Sequence, residues 1–213
     1  MEPEQPRHTQ LAIGAALAIF LLVLVRTAWV AEDAFINFRT IDNFLHGYGL
    51  RWNVAERVQT FTDPLWVLIV AEGSAVTGEF YDTTLVLSFA FTTAALLVYV
   101  RGAGSGYAAA AGIVLLTTSK AFVDFSTSGL EGPLVHFLLA SFLVVYWKRP
   151  AGTRAGGELA FLAACCAVTR LDTLVLTAPV MVLAAGRAGL RAAARPLLLG
   201  AVPLIAWEIF AVI

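Results

Sequence analysis

Two adjacent carboxylates, Glu32 and Asp33, directly follow the first long apolar run of the chain, in the stretch AEDAFINFR. Carboxylates are among the side chains that serve in acid–base chemistry, and a pair at the boundary between an apolar helix and water has no obvious structural purpose in a membrane protein. A plainer interpretation is also open. Both residues could be charges at the start of a helix, where the helix dipole favours an ionised acid.

The stretch GYGLRWNVAERVQTFTDPLW mixes basic and aromatic residues a little further along the chain. It contains Arg51, Trp52 and Arg57, and near its end Pro64 is suited to open the next helix. Aromatic rings stack on the faces of sugars, and guanidinium groups grip phosphate oxygens in pairs of hydrogen bonds. The composition therefore suits a ligand with sugar and phosphate parts, although on these residues alone ordinary anchoring of aromatic residues at a membrane interface is the favoured explanation.

Two shorter polar segments interrupt the apolar second half of the chain. The segment STSGLEGPL contains Glu131, and the segment TRLD contains Arg170 and Asp172. Glu131 could be no more than an acid at a helix start. Arg170 and Asp172 are costly at membrane depth, so they either pair with each other or serve a ligand, with Arg170 as an anion-binding group.

The elements that must position these residues follow from the composition. Of the 213 residues, 59% are hydrophobic and 14% are charged, and the mean hydropathy is +0.80. Soluble domains carry about a quarter charged residues, so the chain is predicted to be a polytopic integral membrane protein.

Its net charge of −1 excludes nucleic acid as a partner. The adjacent Cys165 and Cys166 match neither a metal nor a redox motif, which predicts simple packing residues.

The long apolar blocks predict an all-α bundle of about seven transmembrane helices. Placing the Lys and Arg clusters on the cytoplasmic side puts the N-terminus inside and makes 31–81 an extracytoplasmic loop. Within that loop, 64–78 is too short to span and is predicted to lie at the outer interface or to lead into the second span. The last apolar block runs to Ile213, which indicates that 1–213 is a piece of a longer protein. The predicted spans are 11–30, 82–100, 106–122, 132–147, 152–169, 172–186 and 196–213.

The first extracytoplasmic loop is predicted to begin with an amphipathic helix over 33–46, which the glycines at 47 and 49 would end. We expect this helix to lie flat at the membrane interface with its apolar face down. That face combines Ala34, Phe38, Ile41 and Leu45.

The motifs carry a family resemblance. An acidic pair after the first span, followed by FINFRTIDNFLHGYGL and RWNVAERVQTFTDPLW, resembles the membrane glycosyltransferases of the GT-C fold. The resemblance is closer to a bacterial branch that includes the actinobacterial arabinofuranosyltransferases, and STSGLEGPL and TRLD resemble that branch as well. It covers about residues 25–180. Members of the family usually have about ten or more spans and often a soluble C-terminal domain, whereas about seven spans are predicted here.

The resemblance implies an inverting transfer of a monosaccharide from a polyprenyl-phosphate donor to an extracytoplasmic glycan, lipid or protein acceptor, in the inner (plasma) membrane of a bacterium. It implies that Asp33 is the general base and that Glu32 is the second carboxylate or the alternate base. No cofactor is required, although the carboxylates could bind a divalent cation. The candidates for the donor phosphate are Arg170, Arg57 and Lys120, and those for the sugar or acceptor are Glu131, Asp172, Asp63, Trp52 and Arg39.

Two other functions compete with this one. A transporter or flippase for lipid-linked sugars would have ionisable residues near the middle of the bilayer, whereas the predicted topology gathers them at one face. A non-catalytic truncated membrane subunit would also fit the chain that ends within an apolar block.

Overall fold

The computed structural model describes residues 6–56, 58–150 and 152–212. Every regular element within these ranges is helical, which confirms the predicted all-α class. The helices are α1 (Arg7–Thr27), α2 (Ala34–Leu45), α3 (Pro64–Thr77), α4 (Tyr81–Gly102), α5 (Gly106–Thr118), α6 (Lys120–Phe125), α7 (Gly132–Lys148), α8 (Thr153–Thr169), α9 (Leu174–Ala188), α10 (Leu190–Gly200) and α11 (Val202–Val212). A single 3₁₀ turn over Leu171–Thr173 joins α8 to α9.

Two helices of the described chain, α1 and α4, are long and apolar enough to cross a membrane. A third span results if α10 and α11 are taken together, although the two are bent by 54°. The predicted arrangement of about seven spans is therefore not confirmed. The apolar blocks do form helices, but α7 and α8 each have 17 residues, or about 25 Å of length, which is short of a hydrocarbon core of about 30 Å.

Two of the predicted spans are divided by local breaks. Ser119 ends α5 in an extended conformation, and its hydroxyl accepts a hydrogen bond from the Phe122 N–H at the start of α6. The predicted span over 106–122 is thereby split into two helices. The last block turns at Ala201, and Pro203 follows in the first turn of α11, where the missing N–H of proline has no helical partner to lose.

The apolar face of α2 packs against the protein core. Ala34 and Ile41 are fully buried and Phe38 is 8% exposed, in one cluster with residues of α3, α7 and α8. The prediction that this face lies on the membrane is therefore wrong, because these side chains are covered by protein. The fourth predicted member, Leu45, is 40% exposed.

Helix α3 occupies the segment predicted to lie at the interface or to lead into the second span. One of its faces is in the core, since Trp66 and Val67 are fully buried. It ends at Gly78, which has a left-handed conformation with φ of 73°, and α4 begins three residues later. The helix thus leads directly into the second predicted span.

The loop between α6 and α7 is fastened to the junction of α1 and α2. The Ala31 N–H donates to the carbonyl oxygen of Ser128 at 2.7 Å. The indole N–H of Trp66 donates to the carbonyl oxygen of Gly129 at 2.9 Å. These bonds hold the start of α2, the start of α3 and the residues just before α7 at one end of the bundle.

Gly129 is a sensitive point of this junction. Its φ is +81°, and an added Cβ would lie 2.9 Å from both the Ala34 Cβ and the Val30 Cγ1 atoms. Gly129→Ala is expected to lower the free energy of unfolding by about 2–4 kcal/mol, from left-handed strain together with overpacking. Gly78→Ala is the matched control, because that glycine has a similar φ but open space around it. Thermal unfolding in detergent should show the larger loss for Gly129→Ala, and equal losses would contradict the packing argument.

Candidate functional site

A buried acid and an arginine form the centre of the polar cluster at this end of the bundle. The Arg170 Nη1 atom donates to Glu131 Oε1 at 2.6 Å, and Arg170 Nε donates to both carboxylate oxygens of Asp172 at 3.1 and 3.0 Å. The Glu131 side chain is 8% exposed, whereas those of Arg170 and Asp172 are 54% and 65% exposed. Arg170 thus pairs with Asp172, as one of the two alternatives predicts, and with Glu131 in addition, while its role as an anion-binding group stays a prediction.

Local backbone geometry explains how these residues meet. Helix α8 ends at Thr169, and Arg170 takes an extended conformation, which turns its side chain away from the helix axis. The Thr173 hydroxyl donates to the Arg170 carbonyl at 2.7 Å and steadies the 3₁₀ turn that carries Asp172. Glu131 stands just before α7, whose first turn contains Pro133.

Asp63 adds a second buried carboxylate to this region. It is 3% exposed, it precedes α3, and its Oδ2 atom accepts a hydrogen bond from Asn37 Nδ2 of α2 at 2.8 Å. Burial and the nearby charge of Glu131 raise the pKa of Asp63 to about 7, while the Asn37 hydrogen bond and the charge of Arg170 act in the opposite direction. Asp63 therefore interacts electrostatically with both Glu131 and Arg170. We call the following five side chains the polar cluster: Asn37, Asp63, Glu131, Arg170 and Asp172.

The raised pKa of Asp63 makes stability depend on pH. The folded state binds a proton at Asp63 more tightly than the unfolded state, so stability is lost as the pH rises from about 4 to about 7. Asp63→Asn keeps a partner for Asn37 and removes the charge, so the variant should be more stable than wild type at pH 8, by up to ~4 kcal/mol. The gain should disappear below about pH 4. Thermal unfolding across this pH range tests the expectation.

Glu72→Gln is the control for that experiment, because Glu72 is an exposed carboxylate on α3 itself. We expect this substitution to leave the unfolding midpoint unchanged at pH 8. A wild-type protein that is more stable than Asp63→Asn at pH 8 would show that the Asp63 carboxylate is stabilised as an anion.

Asp33 stands immediately before α2, as predicted, and both it and Glu32 are exposed. Its side chain makes no capping hydrogen bond to the described part of the chain, although its position at the start of α2 is the one that the plainer interpretation, a charge favoured by the helix dipole, requires. The backbone of Asp33 is already helical, with φ of −60° and ψ of −27°. Asp33 and Asn37 are four residues apart and so lie on one face of α2, about 5–6 Å apart at Cβ. Through Asn37, this face reaches the polar cluster.

The remaining site candidates lie in different places. Lys120 forms an ion pair with Asp124 one turn along α6, and its side chain is 86% exposed. Arg39 and Trp52 are exposed, and the carbonyl oxygen of Trp52 accepts a hydrogen bond from Asn43 at 2.8 Å. Arg57 lies outside the described residues. The structure thus brings Arg170, Glu131, Asp172 and Asp63 together and leaves Lys120, Arg39 and Trp52 without a described contact to them.

Sequence reasoning missed the two buried asparagines of α2. Asn37 holds Asp63, and the Asn43 amide donates to the carbonyl oxygens of Arg51 and Trp52, which fixes the path of the following loop. The signal that would have singled out both residues is their short, hydrogen-bonding side chain in a helix interior, which is unfavourable there unless it has a partner.

A cavity of about 260 Å³ lies beside this loop. Its lining includes Arg51, Gln59, Phe61 and Trp207, the last from α11. The aromatic side chains that line this cavity are Phe61, Trp207 and Phe210, and Trp52, which was predicted to contact the sugar or the acceptor, does not line it. No group of three or more His, Cys, Asp or Glu side chains that could hold a metal ion occurs within 6–56, 58–150 and 152–212.

Comparison with known proteins yields two curated relatives with the same name, terminal beta-(1->2)-arabinofuranosyltransferase. The protein from Mycobacterium tuberculosis is 28% identical over 221 aligned positions, which cover 94% of this chain and 35% of the relative. The protein from Corynebacterium glutamicum is 31% identical over 141 positions, which cover 61% of this chain and 21% of the relative. The chain thus spans about a third or less of the length of these relatives.

No protein-family model matches the chain, and no solved structure matches it. The two relatives nevertheless confirm the resemblance that the motifs indicate. The chain is a membrane protein homologous to a segment of curated arabinofuranosyltransferases.

Proposed function

We propose that the chain is the membrane module of a glycosyltransferase that moves a monosaccharide from a polyprenyl-phosphate donor to an extracytoplasmic glycan, lipid or protein acceptor with inversion. The observation that carries this proposal is the polar cluster beside the start of α2, in a chain homologous to proteins named as arabinofuranosyltransferases. The relatives' name makes an arabinofuranosyl donor the first one to test, and other pentoses and hexoses come next.

The charges at the two ends of the bundle support an extracytoplasmic site. The polar cluster lies where α7 begins and α8 ends, whereas Lys148, Arg149 and Arg154 lie where α7 ends and α8 begins. Basic residues favour the cytoplasmic side, which supports a position of the cluster on the outer side. The proposal includes a bundle of about seven spans. The shorter helices would cross the membrane with little tilt, or the bilayer would be thinner around them.

In the proposed reaction, the Asp33 carboxylate accepts the proton of an acceptor hydroxyl group, whose oxygen attacks the anomeric carbon of the donor sugar. The new glycosidic bond forms as the bond between the anomeric carbon and the phosphate oxygen breaks. The electron pair of that bond leaves with the polyprenyl phosphate. Asp33 suits this role because its carboxylate is exposed and lies one helical turn from Asn37, which belongs to the polar cluster.

Arg170 is the proposed partner of the departing phosphate, because a fixed cation stabilises the charge that develops there. Hydrogen bonds to Asp172 and then Glu131 raise the pKa of Arg170, so the group stays charged. Glu131 is buried and holds the guanidinium in place, whereas the exposed Asp172 is free to give way to a phosphate oxygen. Lys120 and Arg57 are the further proposed phosphate ligands, while Asp63, Trp52 and Arg39 are proposed to face the sugar or the acceptor.

Transfer of radiolabelled sugar in proteoliposomes tests the proposal. The reconstituted chain is incubated with a panel of polyprenyl-phosphate monosaccharides and a short glycan acceptor. We expect labelled glycan with one donor class, arabinofuranosyl first. Movement of labelled donor across the bilayer without a new glycosidic bond would instead favour the lipid-linked sugar transporter, and neither product nor movement would favour the non-catalytic membrane subunit.

A further inference from the structure

A second feature lies at the opposite end of the bundle from the polar cluster. A groove of about 760 Å³ runs between α8 and α10 and reaches the last turn of α7. Its lining includes Arg154, Glu158, Phe161, Arg195 and Leu199. The helices approach closely at the floor of the groove, where a Cβ on Gly200 would lie 2.7 Å from the Gly157 carbonyl oxygen.

The length of α7 and α8 separates this groove from the polar cluster. Arg154 is in the first turn of α8, whereas Arg170 directly follows its last turn. The helix of 17 residues is about 25 Å long, so the two features lie near opposite faces of a membrane. The groove is therefore separate from the site proposed for sugar transfer.

The rim of the groove has an excess of positive charge. Glu158 forms ion pairs with Arg149 at 3.2 Å and with Arg154 at 3.3 Å, so one carboxylate is shared by two guanidinium groups. Arg195 is exposed, and its side chain has no hydrogen bond or ion pair with any described residue. The charged residues that line the groove are Arg154, Arg195 and Glu158, so the rim is net positive and Arg195 is its unpaired guanidinium group.

Below this rim the groove is apolar and open. Phe161 is 50% exposed and Leu199 is 62% exposed, although both lie beside charged residues of their own helices. An apolar channel with cations at one end matches a phospholipid, whose phosphate meets the cations and whose chain lies along the apolar surface. Anionic lipids are also abundant at the cytoplasmic face, where basic residues gather.

We propose that the groove between α8 and α10 binds an anionic phospholipid. Arg195 and Arg154 hold the phosphate group, and one acyl chain runs along Phe161 and Leu199. A bound lipid would fill the gap between α8 and α10 and hold the two helices together at the end remote from the polar cluster.

Native mass spectrometry of the detergent-purified chain tests this site. Phosphatidylglycerol and phosphatidylcholine with identical acyl chains are titrated separately, and lipid-bound protein is counted. We expect wild type to retain phosphatidylglycerol in preference to phosphatidylcholine. Arg195→Gln should weaken phosphatidylglycerol binding about fivefold and leave phosphatidylcholine binding unchanged. Arg154→Gln should weaken it as well, by less, because Arg154 is already paired with Glu158.

Arg101→Gln is the matched control, because Arg101 is an exposed arginine at the same end of the bundle. The residue after it, Gly102, lies against Val144 of α7, and Arg101 does not line the groove. This variant should bind phosphatidylglycerol as wild type does. The proposal is overturned if Arg195→Gln binds as tightly as wild type, if Arg101→Gln loses as much affinity as Arg195→Gln, or if wild type shows no preference between the two lipids.

Discussion

Replacing Asp33 with Asn is expected to lower the rate of sugar transfer by about 10²–10⁴-fold, because an amide cannot accept the proton of the acceptor hydroxyl. The loss should appear in the turnover rate in proteoliposomes, with the labelled arabinofuranosyl donor in excess. The unfolding midpoint should stay at the wild-type value, because the exposed Asp33 side chain makes no capping hydrogen bond to the described chain.

Glu32→Gln is the matched control for that variant, since it removes the adjacent charge from the same turn. If Asp33 is the base, Glu32→Gln should retain most of the transfer rate. The reverse result, with Glu32→Gln inactive and Asp33→Asn active, would make Glu32 the base. Full transfer by both variants, with the protein correctly inserted, would contradict a carboxylate base at this position.

Replacing Arg170 with Gln is expected to abolish transfer and also to destabilise the fold. The substitution leaves Glu131 buried without its cation and removes the positive charge that offsets the repulsion between Glu131 and Asp63. Breaking a buried pair in this way costs several kcal/mol. Arg170 is half exposed, so water screens part of the interaction, and we expect a loss of about 1–3 kcal/mol.

The double variant with Arg170→Gln and Glu131→Gln separates the two effects. Removing both charges takes away the unpaired carboxylate, so stability should return close to the wild-type value. Transfer should stay absent, because no guanidinium remains for the departing phosphate. A double variant with wild-type transfer would contradict the phosphate role of Arg170, and one as unstable as the single variant would contradict the ion-pair argument.

Local sequence signals predicted some of the points at which helices begin and end. Pro64 and Pro133 lie in the first turns of α3 and α7, as expected of a residue that lacks an N–H, and α2 ends two residues before Gly47. The resemblance of residues 32–66 to bacterial arabinofuranosyltransferases agrees with the name of the two curated relatives. These features depend on a few neighbouring residues and so can be predicted from the sequence.

Long-range contacts were the part that local patterns could not supply. The apolar face of α2 has the same periodicity whether it meets lipid or protein, so the burial of Ala34 and Ile41 could not be predicted. Similarly, the bond between Asn37 and Asp63 joins residues 26 positions apart, and that between Arg170 and Glu131 joins residues 39 positions apart. An apolar block also does not reveal a break such as that at Ser119, where a hydroxyl group caps the next helix.

The most direct test of the central claim is to locate the donor sugar on the protein. A polyprenyl-phosphate arabinofuranose analogue with a photoreactive group on the sugar is crosslinked in proteoliposomes, and the labelled peptides are identified by mass spectrometry. We predict labelling within 31–37 and 126–131 that unlabelled donor suppresses, because these segments meet at the polar cluster. Suppressible labelling confined to the groove between α8 and α10, or to the cavity beside α11, would contradict the proposed site.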